Sequence, residues 1–173
     1  NPGTPAAVLS NTITDGSAFS VISTVGLMPG YLAYVKLVQM ATNPPAYDQH
    51  LVLRQRLPGT GSVSVLLSGY YVHAVAIHPT AQIVYLYTTW GDLYSASFTT
   101  SPLALSSPTL VVAGLFLRYA DLEVLDADTL VIKTMDSMAT FTLSTNTLKA
   151  VISAKPAFAR DLIGSTKMIV VYH

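Results

Sequence analysis

From Val72 to Gly114 short apolar runs alternate with clusters of turn residues. Four runs follow one another: His73–Ile77, Gln82–Thr88, Asp92–Thr99 and Thr109–Ala113. Each is rich in Val, Ile, Leu, Tyr or Phe, and each is bounded by Pro, Gly, Asp or Ser. This is the pattern of consecutive antiparallel strands joined by tight turns.

The same rhythm extends in both directions. Ala6–Thr12 reads as a strand, Asp15-Gly16 as a turn, and Ala18–Thr24 as a second strand ended by Met28-Pro29-Gly30. Tyr31–Met40 is apolar nearly throughout. A helical stripe is an alternative there, but the flanking Pro-Gly and Asn-Pro-Pro bound a strand-length run. Asn43–Asp48 is expected to be a loop, because two prolines do not fit inside a ladder. Gln49–Leu57 alternates, with Leu51, Leu53, Gln55 and Leu57 facing one way and His50, Val52, Arg54 and Arg56 the other. Pro58–Gly61 turns the chain into Ser62–Leu67.

Beyond the central stretch, strands are expected at Arg118–Leu125, Thr129–Thr134, Met138–Ser144, Leu148–Ile152, Phe158–Ile163 and Lys167–Tyr172. The turns between them carry Asp126, Asp128, Asp136, Asn146 and Gly164. The second strands of successive units start about 40 to 50 residues apart, the spacing of four-strand propeller blades. The chain therefore reads as one all-β domain over residues 1–173, with units near 17–69, 70–117 and 118–156 and an incomplete one at 157–173. The opening Asn1-Pro2-Gly3 without Met, and the strand-like end Met168–His173, point to a longer parent chain.

Particular residues carry a resemblance to β-propeller repeats of the YVTN, NHL and PQQ blade type. Val75-Ala76-Ile77-His78-Pro79 followed by Ile83-Val84-Tyr85-Leu86-Tyr87 resembles the blade run in which a strand ends at a proline turn and the next carries a central Tyr. Leu93–Phe98 resembles the following strand, although Ser or Phe stands where an acidic residue is common. Thr140-Phe141-Thr142-Leu143 with Thr145-Asn146 resembles the end of such a strand and its turn. The likeness covers about three units and part of a fourth. It implies a propeller-like architecture, as a partial or small ring, and no activity, since this architecture serves many functions. A β-sandwich or jelly roll would use the same strands with different pairing.

An incomplete ring leaves unpaired strand edges that a protein must cover. Three arrangements would do so: a longer propeller, a small four-bladed ring closed by Ala6–Thr12, or edges paired with a neighbouring subunit.

Composition favours the last of these. The chain of 173 residues is 51% hydrophobic and only 10% charged, with nine basic and nine acidic residues. A neutral surface argues against nucleic acid, which needs clustered Lys and Arg, and removes a defence against self-association. There is no apolar run long enough for a membrane-spanning helix. Cysteine is absent, so disulfides, thiolate metal sites and cysteine nucleophiles are excluded. The low charge and the abundance of Ser, Thr and Ala lean towards a secreted or cell-surface protein.

Candidate chemistry is sparse. His50, His73, His78 and His173 have no metal-ligand spacing. His73 and His78 end one strand, and flanking turns explain them better than a ligand pair. Asp121, Glu123, Asp126 and Asp128 cluster, and Asp126-x-Asp128 invites a Ca²⁺ reading. That reading lacks the third acidic ligand, the bend Gly and the closing Glu, so an Asp-rich turn is favoured. Asp92 and Asp136 occupy hairpin tips. Trp90 is the lone tryptophan, suited either to stacking on a sugar at an exposed tip or, preferably, to packing at a blade edge. The ten tyrosines suit interfaces. No catalytic, cofactor or metal residues are assigned. The expectation is a non-enzymatic structural or interaction module that self-assembles or binds a protein partner through strand edges and loops. The alternatives are part of a propeller enzyme or lectin for glycans, and a sandwich-type coat or surface protein.

Overall fold

A computed structural model describes residues 19–21, 23, 25–42, 45–56, 61–115, 117, 120–134, 137–152, 156–159 and 170–172. The protein is all-β. Three antiparallel sheets follow one another along the chain, and none closes into a barrel.

In the first sheet, β1 (Phe19–Val21) and β2 (Gly26–Met28) lie along one edge of β3 (Tyr31–Thr42). β4 (Pro45–Gln55) pairs with the other edge of β3, and β5 (Ser62–Leu66) pairs with β4. The second sheet is a meander of β6 (Val72–Ile77), β7 (Ile83–Thr88) and β8 (Leu93–Thr100). Its outer edge is shared by β9 (Leu103–Leu105) and β10 (Thr109–Val112). The third is a meander of β11 (Asp121–Val124), β12 (Thr129–Lys133), β13 (Met138–Thr142) and β14 (Thr147–Ile152). A two-stranded sheet of β15 (Pro156–Ala159) and β16 (Val170–Tyr172) follows.

The sheets stack through two apolar layers. Ala33, Val35, Leu51 and Leu53 of the first sheet meet Val75, Ile77, Val84, Leu86, Ala96 and Phe98 of the second. The opposite side of the second sheet presents Ala74, Ala76, Tyr85, Tyr87 and Leu93 to Leu122, Leu130, Ile132 and Phe141 of the third. Both faces of β6 and β7 are therefore buried, which is why these strands read as unbroken apolar runs instead of alternating ones. Each Val, Leu, Ile or Phe side chain buried there contributes about 1.5–3 kcal/mol on leaving water. Strand β6 also runs beside β2 and β3 on one side and β11 on the other.

The close approach of β2 to β6 depends on Gly26. A Cβ there would stand 2.9 Å from the Ile77 backbone nitrogen and 3.0 Å from Ala76 backbone carbon. Backbone cannot swing aside as a side chain does. Gly26→Ala is expected to cost about 1–3 kcal/mol in urea unfolding. Gly61→Ala, whose new methyl would meet only the movable side chains of Leu103 at 3.3 Å and Gln55 at 3.6 Å, serves as the mild comparison.

Two expectations need correction. Asn43–Asp48 was expected to be a loop, yet β4 begins at Pro45, which pairs with Thr42. Proline is tolerated as the first residue of a strand, where its missing N–H leaves the ladder intact. The short strands β2 and β9 were also not anticipated, since three residues carry too little pattern to register. Ala6–Thr12, Asp15-Gly16, Asp136 and Gly164 lie outside the described residues, as do most of Pro58–Gly61.

Candidate functional site

Several of the chemistry-bearing side chains among the described residues have a visible local task. His78 ends β6 and is buried. Its Nδ1 accepts the amide N–H groups of Thr80 (3.2 Å) and Ala81 (3.0 Å), so this nitrogen carries no proton. Its Nε2–H then donates to the Ala127 carbonyl at 3.3 Å. Ala127 lies in the β11–β12 turn, so the imidazole fastens the β6–β7 turn of the second sheet to the third. His73 is partly buried on β6, away from that junction. The Nε2 of His50, on β4, is buried and without a partner among the described residues. His173 lies outside them.

The acidic cluster resolves into turn chemistry. Asp126 Oδ1 accepts the Asp128 N–H at 2.9 Å, and that bond is the first cause holding its carboxyl below the usual range. Asp128 turns its carboxylate to Ser144, accepting the amide at 2.7 Å and the hydroxyl at 2.5 Å. Burial first, and the Asp128 charge second, raise the Tyr85 phenol. Glu123 is paired with Lys133 at 2.6 Å; the lysine is buried and the glutamate partly buried. Among the described residues no three His, Cys, Asp or Glu side chains are placed to share a metal ion.

Asp92 does more than form a hairpin tip. Its N–H donates to Thr88 Oγ1 (3.0 Å), and its Oδ1 accepts the Gly114 N–H at 2.8 Å. The tip is thereby tied to the segment leaving β10, where Gly114 takes a φ of 67°. Only glycine adopts that conformation without strain.

The surface is where unassigned groups accumulate. Trp90, expected to pack at an edge, instead stands exposed in the β7–β8 turn, edge-on to exposed Tyr71 with ring centroids 6.5 Å apart. A second edge-on pair, Tyr70 and Tyr94 at 4.7 Å, lies on the side facing the first sheet. Along the outer strands, β5, β10 and β14 each display an exposed leucine: Leu66, Leu110 and Leu148. Across β5, β9, β10 and β14 the single charged residue is Lys149. Sequence reasoning pointed to strand edges in general and missed these leucines, because alternation says which face a residue takes but not which strand ends a sheet.

Among the described residues no helix is long and apolar enough to cross a membrane. No family model, no curated protein and no solved structure matches this chain.

Proposed function

We propose that this chain is a non-enzymatic structural or interaction module that associates through its outer strands, with copies of itself or with a protein partner. One observation carries the reading: the outer strands of three successive sheets expose Leu66, Leu110 and Leu148 and hold one charge between them. Edge strands present unpaired backbone groups, and proteins that stay monomeric protect them with Lys, Pro, bulges or a cover. Zero net charge adds no repulsion between copies. A propeller-like arrangement fits three successive antiparallel sheets of four or five strands with β6 beside β2 and β11, and a sandwich of the same strands is the alternative. A secreted or surface setting suits the low charge.

The test is sedimentation velocity across a concentration series. The unmodified protein should sediment as a concentration-dependent oligomer. The triple variant Leu66→Lys, Leu110→Lys, Leu148→Lys should sediment as a monomer with an unchanged β-sheet spectrum. Identical sedimentation of the two proteins would sink the reading.

A second reading rests on Trp90 and Tyr71. Two exposed aromatic rings at 89° suit stacking on the apolar face of a sugar. Glycan binding that disappears in Trp90→Ala while oligomerisation persists would favour this alternative.

A further inference from the structure

Among the outer strands, β5 stands apart. Pro108 precedes β10, whose ladder shifts register between Leu110 and Val112. β14 carries Lys149 and sits on a ladder with a shift at Met138/Ala139. These are the devices that blunt an edge. β5 reads Ser-Val-Ser-Val-Leu, with no proline, no charge and an unbroken register against β4.

The free hydrogen-bonding groups of β5 follow from its ladder. Gln55 N–H bonds to Gly61 C=O at 2.8 Å, and Leu67 N–H bonds to Gln49 C=O at 2.7 Å. These two bonds bracket the strand. Bonded and non-bonded pairs alternate along an antiparallel ladder. The register Arg54↔Ser62, Leu53↔Val63, Val52↔Ser64, Leu51↔Val65, His50↔Leu66 therefore turns the N–H and C=O of Val63 and Val65 towards β4. The N–H and C=O of Ser62, Ser64 and Leu66 point the other way. Among the described residues no strand is hydrogen-bonded on that side; β9 runs near β5 without pairing to it.

We infer that β5 pairs antiparallel with β5 of a second copy about a two-fold axis at Ser64, an inference that rests on the association reading above. In that register Ser64 faces Ser64 of the second copy, and Ser62 faces Leu66. Every outward N–H then meets an outward C=O, giving six backbone hydrogen bonds. Ser62, Ser64 and Leu66, exposed in the single chain, share one face of the joined sheet, while Val63 and Val65 continue the partly buried face. No charge on either strand opposes the contact, and a two-fold axis makes it self-limiting. The occupant is a second copy because the strand is complementary to itself in both hydrogen bonding and facing.

The chain has no cysteine, so an introduced one is unique. Opposed residues of a bonded antiparallel pair have Cα atoms about 5.5 Å apart, inside the roughly 4.4–6.8 Å window of a disulfide. Ser64→Cys should form a disulfide-linked dimer on mild oxidation at micromolar concentration, whereas Thr147→Cys on β14 should not. Ser64→Pro removes an outward N–H without touching the β4 ladder. It should weaken dimerisation about tenfold or more, since two central hydrogen bonds are lost, while thermal unfolding of the diluted monomer stays close to wild type. If the protein associates but Ser64→Cys does not cross-link and Ser64→Pro associates normally, this inference is wrong and association through another edge stands. A protein that stays monomeric at every concentration overturns both.

Discussion

Replacing Lys133 by methionine lowers the unfolding free energy by roughly 3–5 kcal/mol, read from urea denaturation at neutral pH. The lysine side chain is 5% exposed and its partner Glu123 15% exposed. Removing the ammonium takes the lysine charge from a largely buried carboxylate, between Val131 and Met138 on the same face of the third sheet. The loss therefore reflects the stranded charge more than the strength of the pair. The double change Lys133→Met, Glu123→Leu separates the two. It should recover most of the stability, because a well-packed apolar pair often matches a buried ion pair. A double variant as unstable as the single one would show that the site needs polar groups for another reason.

His78→Ala should cost about 3–4 kcal/mol, combining a lost buried side chain with the desolvated partners it leaves behind. The amides of Thr80 and Ala81 lose their acceptor and the Ala127 carbonyl loses its donor. His78→Asn distinguishes the local role from the bridging one. An Asn oxygen two residues before Thr80 can take up the turn amides, but its shorter side chain does not reach Ala127. Hydrogen exchange should show the Thr80 and Ala81 amides protected in His78→Asn and unprotected in His78→Ala. The β11–β12 turn should be loosened in both. Equal protection of that turn in wild type and His78→Asn would remove the inter-sheet role.

The strands of the second sheet were legible because burial on both faces concentrates β-branched and aromatic residues into compact runs, and Pro79, Gly91 and Asp92 punctuate them. Asp126 was legible as a turn residue because its Asx bond to Asp128 N–H is local, whereas the bonds of Asp128 to Ser144, sixteen residues on, were not. What His78 does was not legible. Its third partner is a backbone carbonyl 49 residues away, which any residue type could supply. The Glu123–Lys133 pair was hidden for a related reason. Lys133 lies opposite Asp121 in register, yet bonds diagonally to Glu123, and the choice depends on which end of the face is covered. Pro45 misled because proline rules concern the strand interior, and the pattern alone did not locate the strand's first residue.

Each sheet is built from consecutive strands, with no partner borrowed from a later one among the described residues. During synthesis the first sheet can form once Leu66 has left the ribosome. The second sheet, which covers its apolar face, is then still to be made as far as Val112. At about 5–20 residues per second this leaves the first sheet uncovered for seconds. In that window β5 is a complete edge strand on a nascent chain, close to other nascent chains on the same message. The β5 pairing proposed above would then begin before either polypeptide is released, and it would be favoured by neighbouring ribosomes as well as by concentration.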